Sequence, residues 1–447
     1  MFQRLLIANR GEIARRIIRA CRKLKIESLA VYTQLDARAI YVEEADESHQ
    51  LGDDPRTDYL NVDLLLRLAR EQEVDAIHPG YGFLSEDFTF AHRCEKEGII
   101  FVGPHWQMLR KAGDKLRAKE MISRAGFPVI PGSLTTESGD DIIIKEAQRI
   151  GFPVMLKLRT GGGGIGLGVA RCRHELRQRI KETRSRGERV FNSSQLLLEK
   201  YLPEVNHIEF QLAADKQQRV IHLLERDCSI QRRHQKIIEE SPSPRMDPRL
   251  REEMGKRIVK TAEKIGYQNL GTVECLLDQE DNYYFLEINP RLQVEHPVTE
   301  MITGIDLVKL QLKLAAEGSG LPGQDQIKGK GHAIQCRIYA EHPKTYLPSP
   351  GKVERLVLPE GEGVRVECGI REGDELTPFF DPLVAKVITW GPNRKSSIEL
   401  MSSSLQNFTV EGIKTNLPLL LDILQDPIFL EGRHNTNYLE ERGAGND

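Results

Sequence analysis

Short apolar runs alternate with segments of helical periodicity in the first quarter of the chain. Leu5 to Ala8 predicts a buried strand, and the apolar positions between Ile13 and Leu24 recur at the spacing of one helix face. Further strands are predicted at 29–32, 76–77 and 99–102, with helices at 64–70 and 88–97 between them. Strands that alternate with helices predict a parallel sheet with helices on both faces, ending near residue 112.

A glycine-rich segment interrupts the second predicted unit. A helix from about Asp114 to Ala125 opens this unit, and Val154 to Leu158 is predicted to be a strand. Thr160 to Gly166 follows, and extended structure resumes at 169–172, so the glycines are predicted to form a hairpin tip. A helix is predicted at 174–190 and a strand at 196–201, and residues 207–289 are β-rich with one helix at about 248–265.

A second glycine-containing segment separates the last unit from the rest. Lys309 to Glu317 is predicted to be a helix, and Glu317 to Gly323 is the best linker candidate. The last unit, at about 330–440, begins with strands at 332–340 and 351–358 and ends with helices at 394–407 and 415–425.

The charge balance and the cysteine pattern exclude several function classes. The 447 residues include 63 Lys and Arg against 66 Asp and Glu, a formal net charge of −3, so neither a nucleic-acid nor a membrane-surface binder is expected. The chain lacks an apolar run of about 20 residues, as a membrane-spanning helix requires, and its N-terminal apolar run is too short for a signal peptide. The seven cysteines contain no CxxC pair, which argues against disulfides and zinc. A cytoplasmic protein is expected.

The glycine run after the strand at 154–158 is the first candidate for chemistry. Glycines carry no Cβ, so their backbone N–H groups can approach a phosphate closely. Lys157 precedes the run and would place a positive charge beside that phosphate. A flexible surface hairpin is the alternative interpretation.

Two acidic residues fall on neighbouring strands of a predicted hairpin. A tight turn that pairs residue 277 with 284 places Glu274 opposite Glu287. Opposed residues have Cβ atoms roughly 5 Å apart, so the two carboxylates would repel each other unless a cation lies between them. Oxygen ligands of this kind suit Mg²⁺ or Mn²⁺ on nucleotide phosphates, and Asn289 could add a third oxygen. A solvated hairpin is the alternative.

A cation, an amide and a carboxylate alternate just after this hairpin. In an extended segment Arg291, Gln293 and Glu295 point the same way, which suits a small anion held beside a base. Only the carboxylate of this set can accept a proton, because arginine stays charged. Arg337 lies among apolar residues of a predicted strand, so it is either paired across the sheet or aimed into a cleft.

Other cationic candidates have structural alternatives. His234 and Lys236 share one face if their segment is extended, and they would bind an acidic ligand or pair with Glu239 and Glu240. Lys115 stands at a predicted helix start, where backbone N–H groups attract anions. A solvated lysine in a first helical turn is the alternative there.

Five longer segments together resemble one known family. They are Ile7 to Ile13, His78 to Glu86, Glu225 to Lys236, Gln293 to Glu300 and Leu347 to Gly351. In this order they resemble biotin carboxylase, the ATP-grasp component of biotin-dependent carboxylases, and the resemblance covers nearly the whole chain.

The resemblance implies an α/β and α+β multidomain enzyme. A Rossmann-like pre-ATP-grasp domain is expected at 1–112, an ATP-grasp domain with a mobile glycine-rich lid (about 131–203) at 113–325, and a C-terminal biotin carboxylase domain at 330–440. The implied reaction converts ATP, bicarbonate and biotin on a carrier protein into ADP, phosphate and N-carboxybiotin. The implied cofactors are ATP and two Mg²⁺ or Mn²⁺ ions, with biotin as a carrier-bound substrate.

The resemblance also assigns roles to residues at matching positions. Glu295 would deprotonate bicarbonate, and Arg337 would stabilise the biotin enolate. Bicarbonate would contact Lys236, Arg291, Gln293 and Val294, the first two also acting in catalysis. The metal ligands would be Glu274, Glu287 and Asn289. The nucleotide would contact Lys115, Lys157, Gly163, Gly164, Glu199, Lys200, Tyr201, Leu202, His207, Gln231, His234 and Leu276.

The expected partners follow from what the chain lacks. No Ala-Met-Lys-Met biotinylation motif and no carboxyltransferase region is present, so a biotin carboxyl carrier protein and a carboxyltransferase are expected in trans. The chain would perform the first half-reaction of an acyl-CoA carboxylase, with fatty-acid biosynthesis as one setting. A homodimer is expected, with Arg16 and Arg19 on the helix that the family uses for dimerisation.

The sequence departs from the family pattern around the glycines. Leu158 and Arg159 replace small residues, Ile165 replaces a cation, and Pro290 stiffens the backbone before Arg291. Two alternatives therefore stay open. One is another ATP-grasp ligase, and the other is a catalytically silent paralogue that binds ATP without turnover.

Overall fold

A doubly wound α/β unit forms the start of the chain. The computed structural model describes residues 1–135, 139–158, 167–191 and 195–443. The elements of the first unit are β1 (Arg4–Ile7), α1 (Gly11–Leu24), β2 (Glu27–Thr33), α2 (Ile40–Glu44), β3 (Glu47–Gly52), α3 (Val62–Glu71), β4 (Ala76–His78), α4 (Phe88–Lys96), β5 (Ile100–Phe101) and α5 (Trp106–Ala112).

Both faces of the first sheet are buried, as the sequence pattern predicted. The strands are parallel in the order β3-β2-β1-β4-β5. Leu5 packs in one core with Ile17 of α1, and Leu6 packs in a second core with Phe90 of α4. Neither α2 nor β3 was predicted, and β3 is an edge strand of mostly polar, half-exposed residues without apolar periodicity.

The middle of the chain holds a small antiparallel sheet and much of a larger one. The small sheet has the order β6-β9-β7-β8. The elements are α6 (Lys115–Arg124), β6 (Gly132–Thr135), α7 (Asp140–Ile150), β7 (Val154–Leu158), β8 (Gly168–Ala170), α8 (Arg173–Phe191), β9 (Leu196–Lys200), β10 (Asn206–Ala214), β11 (Val220–Arg232), β12 (Gln235–Ser241), α9 (Pro248–Lys264), β13 (Asn269–Leu277), β14 (Tyr283–Asn289), α10 (His296–Thr303) and α11 (Leu307–Glu317).

The predicted hairpin around the glycines is confirmed in its strands. Val154 of β7 pairs with Ala170 of β8, and Leu156 pairs with Gly168. Gly163 and Gly164 lie outside the described residues, as do Arg159 and Ile165. Leu158 is 2% exposed and packs in the core of the small sheet, so this large side chain is accommodated by apolar neighbours.

The larger sheet continues without a break into the last part of the chain. Its order is β14-β13-β10-β11-β12-β15-β20-β18, so strands from the middle and last parts share hydrogen bonds. The remaining elements are β15 (His332–Tyr339), β16 (Gly351–Lys352), β17 (Arg355–Val357), β18 (Val364–Cys368), β19 (Glu375–Leu376), β20 (Leu383–Gly391), α12 (Arg394–Gln406), β21 (Thr409–Glu411), α13 (Leu417–Gln425), α14 (Pro427–Leu430) and α15 (Tyr438–Glu441).

Two strand predictions need correction. The predicted strand at 351–358 is two short strands, β16 and β17, which pair with different partners, β19 and β21. The predicted pairing of 277 with 284 is also wrong, since Leu277 pairs with Tyr283. A bulge between Glu274 and Cys275 then adds one residue on β14, so that Glu274 lies opposite Glu287 after all. Among the described residues, the helices are too short or too polar to cross a bilayer.

Candidate active site

One cavity of about 900 Å³ lies where the three parts of the chain meet. The first unit contributes the turn after β1, the small sheet contributes β7 and β9, and the last part contributes β15. Every predicted site residue within the described ranges lines this cavity: Lys115, Lys157, Glu199, Lys200, Tyr201, Leu202, His207, Gln231, His234, Lys236, Glu274, Leu276, Glu287, Asn289, Arg291, Gln293, Val294, Glu295 and Arg337.

Glu274 and Glu287 form a buried carboxylate pair on one wall of the cavity. Glu274 Oε2 lies 2.8 Å from His207 Nε2, and burial is outweighed by Lys236 and His207, which hold the pKa of Glu274 well below its ordinary value. Burial and the neighbouring Glu274 charge instead raise the pKa of Glu287. Glu274 is thus ionised, and its charge favours the protonated form of Glu287. A divalent cation between the two groups would relieve this repulsion, and carboxylate oxygens are ligands that such a cation prefers.

Asn289 faces this pair with its amide nitrogen. Its Nδ2 donates to Glu274 Oε1 at 2.8 Å, while its Oδ1 accepts from Arg291 at 3.2 Å. Asn289 can therefore supply an oxygen ligand to a cation beside this pair only if its side-chain amide flips, so that the oxygen and the nitrogen exchange places.

Lys236 joins three carboxylates at the centre of the site. Its Nζ lies 2.6 Å from Glu209, 2.8 Å from Glu274 and 2.7 Å from Glu295. Glu209 was not predicted, although the polar residues at 207, 209 and 211 of β10 recur with the period of one strand face. Lys236 therefore pairs with these three carboxylates and not, as the sequence had suggested, with Glu239 and Glu240.

Glu239 and Glu240 have other partners. Arg337 Nε donates to Glu239 Oε1 at 2.5 Å, and Arg394 Nε donates to Glu240 Oε2 at 2.6 Å. His234 also departs from prediction, because it adopts a left-handed conformation (φ 65°) in the turn between β11 and β12 rather than a strand. It reaches the cavity from that turn.

Glu295 lies between two cations. Its Oε1 accepts from Lys236 at 2.7 Å and its Oε2 accepts from Arg337 at 3.0 Å. Burial favours the protonated form, yet Lys236 and Arg337 lower the pKa of Glu295 overall, despite the nearby Glu209 charge. Glu295 is therefore an ionised base at neutral pH. Arg337 fulfils both sequence expectations, since it is paired across the sheet and also lines the cavity.

Arg291 and Gln293 complete a polar wall next to Glu295. Arg291 Nε donates to Glu86 at 2.5 Å, and its Nη1 donates to Gln293 Oε1 at 2.7 Å. Gln293 Nε2 donates to Glu274 Oε1 at 3.1 Å. The segment is not a regular strand, but it gathers the three predicted side chains along one side of the cavity.

Glu199 anchors the other end of the cavity between two lysines. Its Oε2 lies 2.6 Å from Lys157 Nζ, and its Oε1 lies 2.7 Å from Lys119 Nζ. These lysines outweigh burial and lower the pKa of Glu199 to about 2. Lys119 was not predicted, although it follows Lys115 by four residues and so shares its helix face. Burial lowers the pKa of Lys115, with the Glu287 charge opposing this.

Comparisons with known proteins agree with this geometry. Family models match residues 1–109 (biotin carboxylase, N-terminal domain), 114–323 (carbamoyl-phosphate synthase L chain, ATP binding domain) and 335–441 (biotin carboxylase C-terminal domain). A biotin carboxylase of Halalkalibacterium halodurans is 49% identical over 441 residues, which is 98% of this chain and 97% of that protein. The chain belongs to the biotin carboxylase family. It is accordingly an ATP-grasp ligase of this family, so the alternative of a different ATP-grasp ligase is excluded.

Two further relatives match over nearly their full lengths. A biotin carboxylase of Haemophilus influenzae is 44% identical, over 100% of this chain and 100% of that one. The biotin carboxylase domain dimer of Hydrogenobacter thermophilus 2-oxoglutarate carboxylase, solved with MgADP, ADP and bicarbonate, superposes with a TM-score of 0.97 at 45% identity, covering 99% and 98% of the two chains. The predicted multidomain α/β fold class is confirmed.

Proposed function

We propose that this chain carboxylates biotin on a carrier protein, with ATP and bicarbonate as the other substrates. The observation that carries the proposal is the placement of Lys236, Glu295 and Arg337 in one cavity, beside the carboxylate pair of Glu274 and Glu287. The cavity thus holds a metal-binding end, an anion-binding centre and a base.

Bicarbonate is a weakly nucleophilic anion that must be held beside a polyanion. Lys236 and Arg291 supply positive charge, and Gln293 supplies an amide that orients the bound anion. Glu295 takes the bicarbonate proton, since it is ionised and lies in the same wall. A bicarbonate oxygen then attacks the γ-phosphorus of ATP, which releases ADP and forms carboxyphosphate.

The nucleotide spans the cavity, with its base at the end that holds Glu199 and its phosphates towards the pair of Glu274 and Glu287. Lys115 and Lys157 contact its phosphates, and residues 199–202 contact its base. Glu274 and Glu287 would hold divalent cations, with Asn289 as a further oxygen donor once its amide has flipped. Cations bound there would supply positive charge that offsets the charge of the phosphates. Lys157 of β7 and Val169 of β8, the strands on either side of the glycine run in the sequence, line this cavity.

Arg337 acts on biotin after carboxyphosphate has broken down to CO₂ and phosphate. Its guanidinium stabilises the oxyanion of the ureido group when the ring nitrogen gives its proton to the phosphate released from carboxyphosphate, and that nitrogen attacks CO₂. The cavity must exclude water during this interval, because water would consume the intermediate.

The chain works within a larger carboxylase. A biotin carboxyl carrier protein and a carboxyltransferase act in trans, and two copies of the chain form a dimer like that of the Hydrogenobacter domain. Relatives named for 2-oxoglutarate carboxylase and for biotin carboxylase alone are similarly identical to this chain, so we assign the choice of final acceptor to the carboxyltransferase. Within the chain, the buried side chain of Arg16 pairs with Glu300 and Asp306.

ADP release by the purified chain tests this proposal. We expect release with Mg·ATP to require both bicarbonate and free biotin, and to be lost in Glu295→Ala. Glu399→Ala is the matched control, since Glu399 is an exposed glutamate of α12. ATP binding without turnover in the unaltered chain would instead establish the silent paralogue.

A further inference from the structure

A buried lysine ties the three parts of the chain together behind the active site. The side chain of Lys386, on β20, has no exposed surface. Its Nζ lies 3.0 Å from Glu12 Oε1 of α1 and donates to the Val294 carbonyl oxygen at 3.0 Å. One ammonium group therefore contacts the first unit and the loop that precedes α10.

The position of Lys386 in the sheet places it next to the reacting groups. In the register of β15 and β20, Lys386 lies opposite Arg337. In the register of β18 and β20, it lies opposite Glu367, which pairs with Arg365. Directly opposed residues of antiparallel strands project from the same face of the sheet. Lys386 thus stands beside Arg337 and shares its face.

The contact with Val294 fixes the loop that carries two substrate-facing side chains. Val294 stands between Gln293 and Glu295, and this stretch is not part of a strand, so its orientation depends on individual contacts. A charged donor to a backbone carbonyl is stronger than a neutral one. Moving the Val294 carbonyl would turn the neighbouring peptide units and carry Gln293 and Glu295 away from a shared anion.

We propose that Lys386 is a positioning residue for the bicarbonate step, whose ammonium holds the Val294 carbonyl so that Gln293 and Glu295 face the same anion. The proposal rests on the proposed function, because it assumes that bicarbonate binds there. Lys386 acts only through the loop. Its loss should therefore alter the use of bicarbonate and leave ATP binding unchanged.

The variants must separate positioning from the burial of an ion pair. Lys386→Met alone leaves Glu12 buried without its cation, which is strongly destabilising. Lys386→Met/Glu12→Gln removes both charges together and avoids that penalty. Glu12→Gln alone keeps the bond from Lys386 to Val294. Lys395→Met is the matched control, since Lys395 is 85% exposed on α12.

Steady-state kinetics and thermal melting provide two independent readouts. Misplacement of a reacting group by about 1 Å costs on the order of 10²-fold in rate. We therefore expect the double variant to lose at least about tenfold in kcat/KM for bicarbonate, with the KM for ATP within about twofold of the parent. Glu12→Gln and Lys395→Met should keep the parent KM for bicarbonate.

Melting in the presence of Mg·ADP reports bicarbonate binding without turnover, because a ligand of the native state raises the melting temperature. The double variant should need at least about tenfold more bicarbonate for the same rise. A parent-like bicarbonate dependence in the double variant would overturn the proposal, as would an equal defect in Glu12→Gln. An unaltered chain with no ADP release would refute the proposed function, while the melting series would still decide the role of Lys386.

Discussion

Replacing Lys236 by methionine should destabilise the protein in a pH-dependent way. The change removes an ammonium that lies within 2.8 Å of Glu209, Glu274 and Glu295. Methionine fills a similar volume, so the main effect is electrostatic. Three carboxylates, each at most 3% exposed, are left without a shared cation.

The magnitude follows from the cost of an uncompensated buried charge. Removal of one partner from a buried ion pair costs about 3–5 kcal/mol. For a cooperative unit of 150–250 residues, each kcal/mol lowers the melting temperature by about 2–4 °C. We therefore expect Lys236→Met to melt about 6–20 °C below the parent protein at pH 7.5.

The three carboxyl groups determine the sign of the pH dependence. In the parent protein, Lys236 helps to hold the pKa values of Glu209, Glu274 and Glu295 below their unfolded values. The parent therefore gains stability above the unfolded pKa and loses it as pH falls through the folded values. In Lys236→Met, burial and mutual repulsion raise these pKa values, so stability is lost as pH rises.

The difference between the two proteins should shrink towards pH 5 and widen towards pH 7.5. Melting by differential scanning calorimetry at both pH values measures it, with Lys256→Met as the control because Lys256 is 73% exposed. An equal loss at the two pH values, or a loss no larger than that of the control, would refute the electrostatic account of Lys236.

Three further substitutions separate the functions of the cavity. Arg337→Lys should lower biotin carboxylation by about 10²-fold, because a point charge cannot reproduce the guanidinium contacts, while the KM for ATP stays within about twofold of the parent; an unchanged rate of ¹⁴C fixation would contradict this. Glu287→Gln should raise the Mg²⁺ concentration for half-maximal activity at least about tenfold without lowering the melting temperature, and an unchanged Mg²⁺ titration would contradict it. Lys119→Met should raise the KM for ATP about three- to tenfold and leave the KM for bicarbonate unchanged, since its partner Glu199 lies at the end of the cavity that contacts the nucleotide base. Equal changes in both constants would contradict it.

Local patterns in the sequence predicted the parts of the site that local structure controls. The placement of Glu274 opposite Glu287 depends on one hairpin, so the period of two along each strand predicted it. The exact register did not follow from that period, because a bulge in the hairpin adds a residue. The strand pair around the glycines was predicted for the same reason, since its partners are close in sequence.

Residues that act across the sheet were missed. Glu209 reaches Lys236 from a strand 27 positions earlier, and Lys386 reaches Val294 from 92 positions later. Such contacts depend on the order of strands in the larger sheet, which hydrophobic periodicity does not contain. The family resemblance supplied the role of Arg337, whereas its pairing with Glu239 and Glu295 required the structure.

The fate of a bicarbonate oxygen tests the central claim most directly. The purified chain would be incubated with Mg·ATP, free biotin and ¹⁸O-labelled bicarbonate, and the released phosphate analysed by mass spectrometry. Attack of bicarbonate on the γ-phosphorus predicts one ¹⁸O atom in each phosphate formed under biotin-dependent turnover. Phosphate that contains oxygen only from ATP and water would contradict the carboxyphosphate route and the role of Glu295 within it.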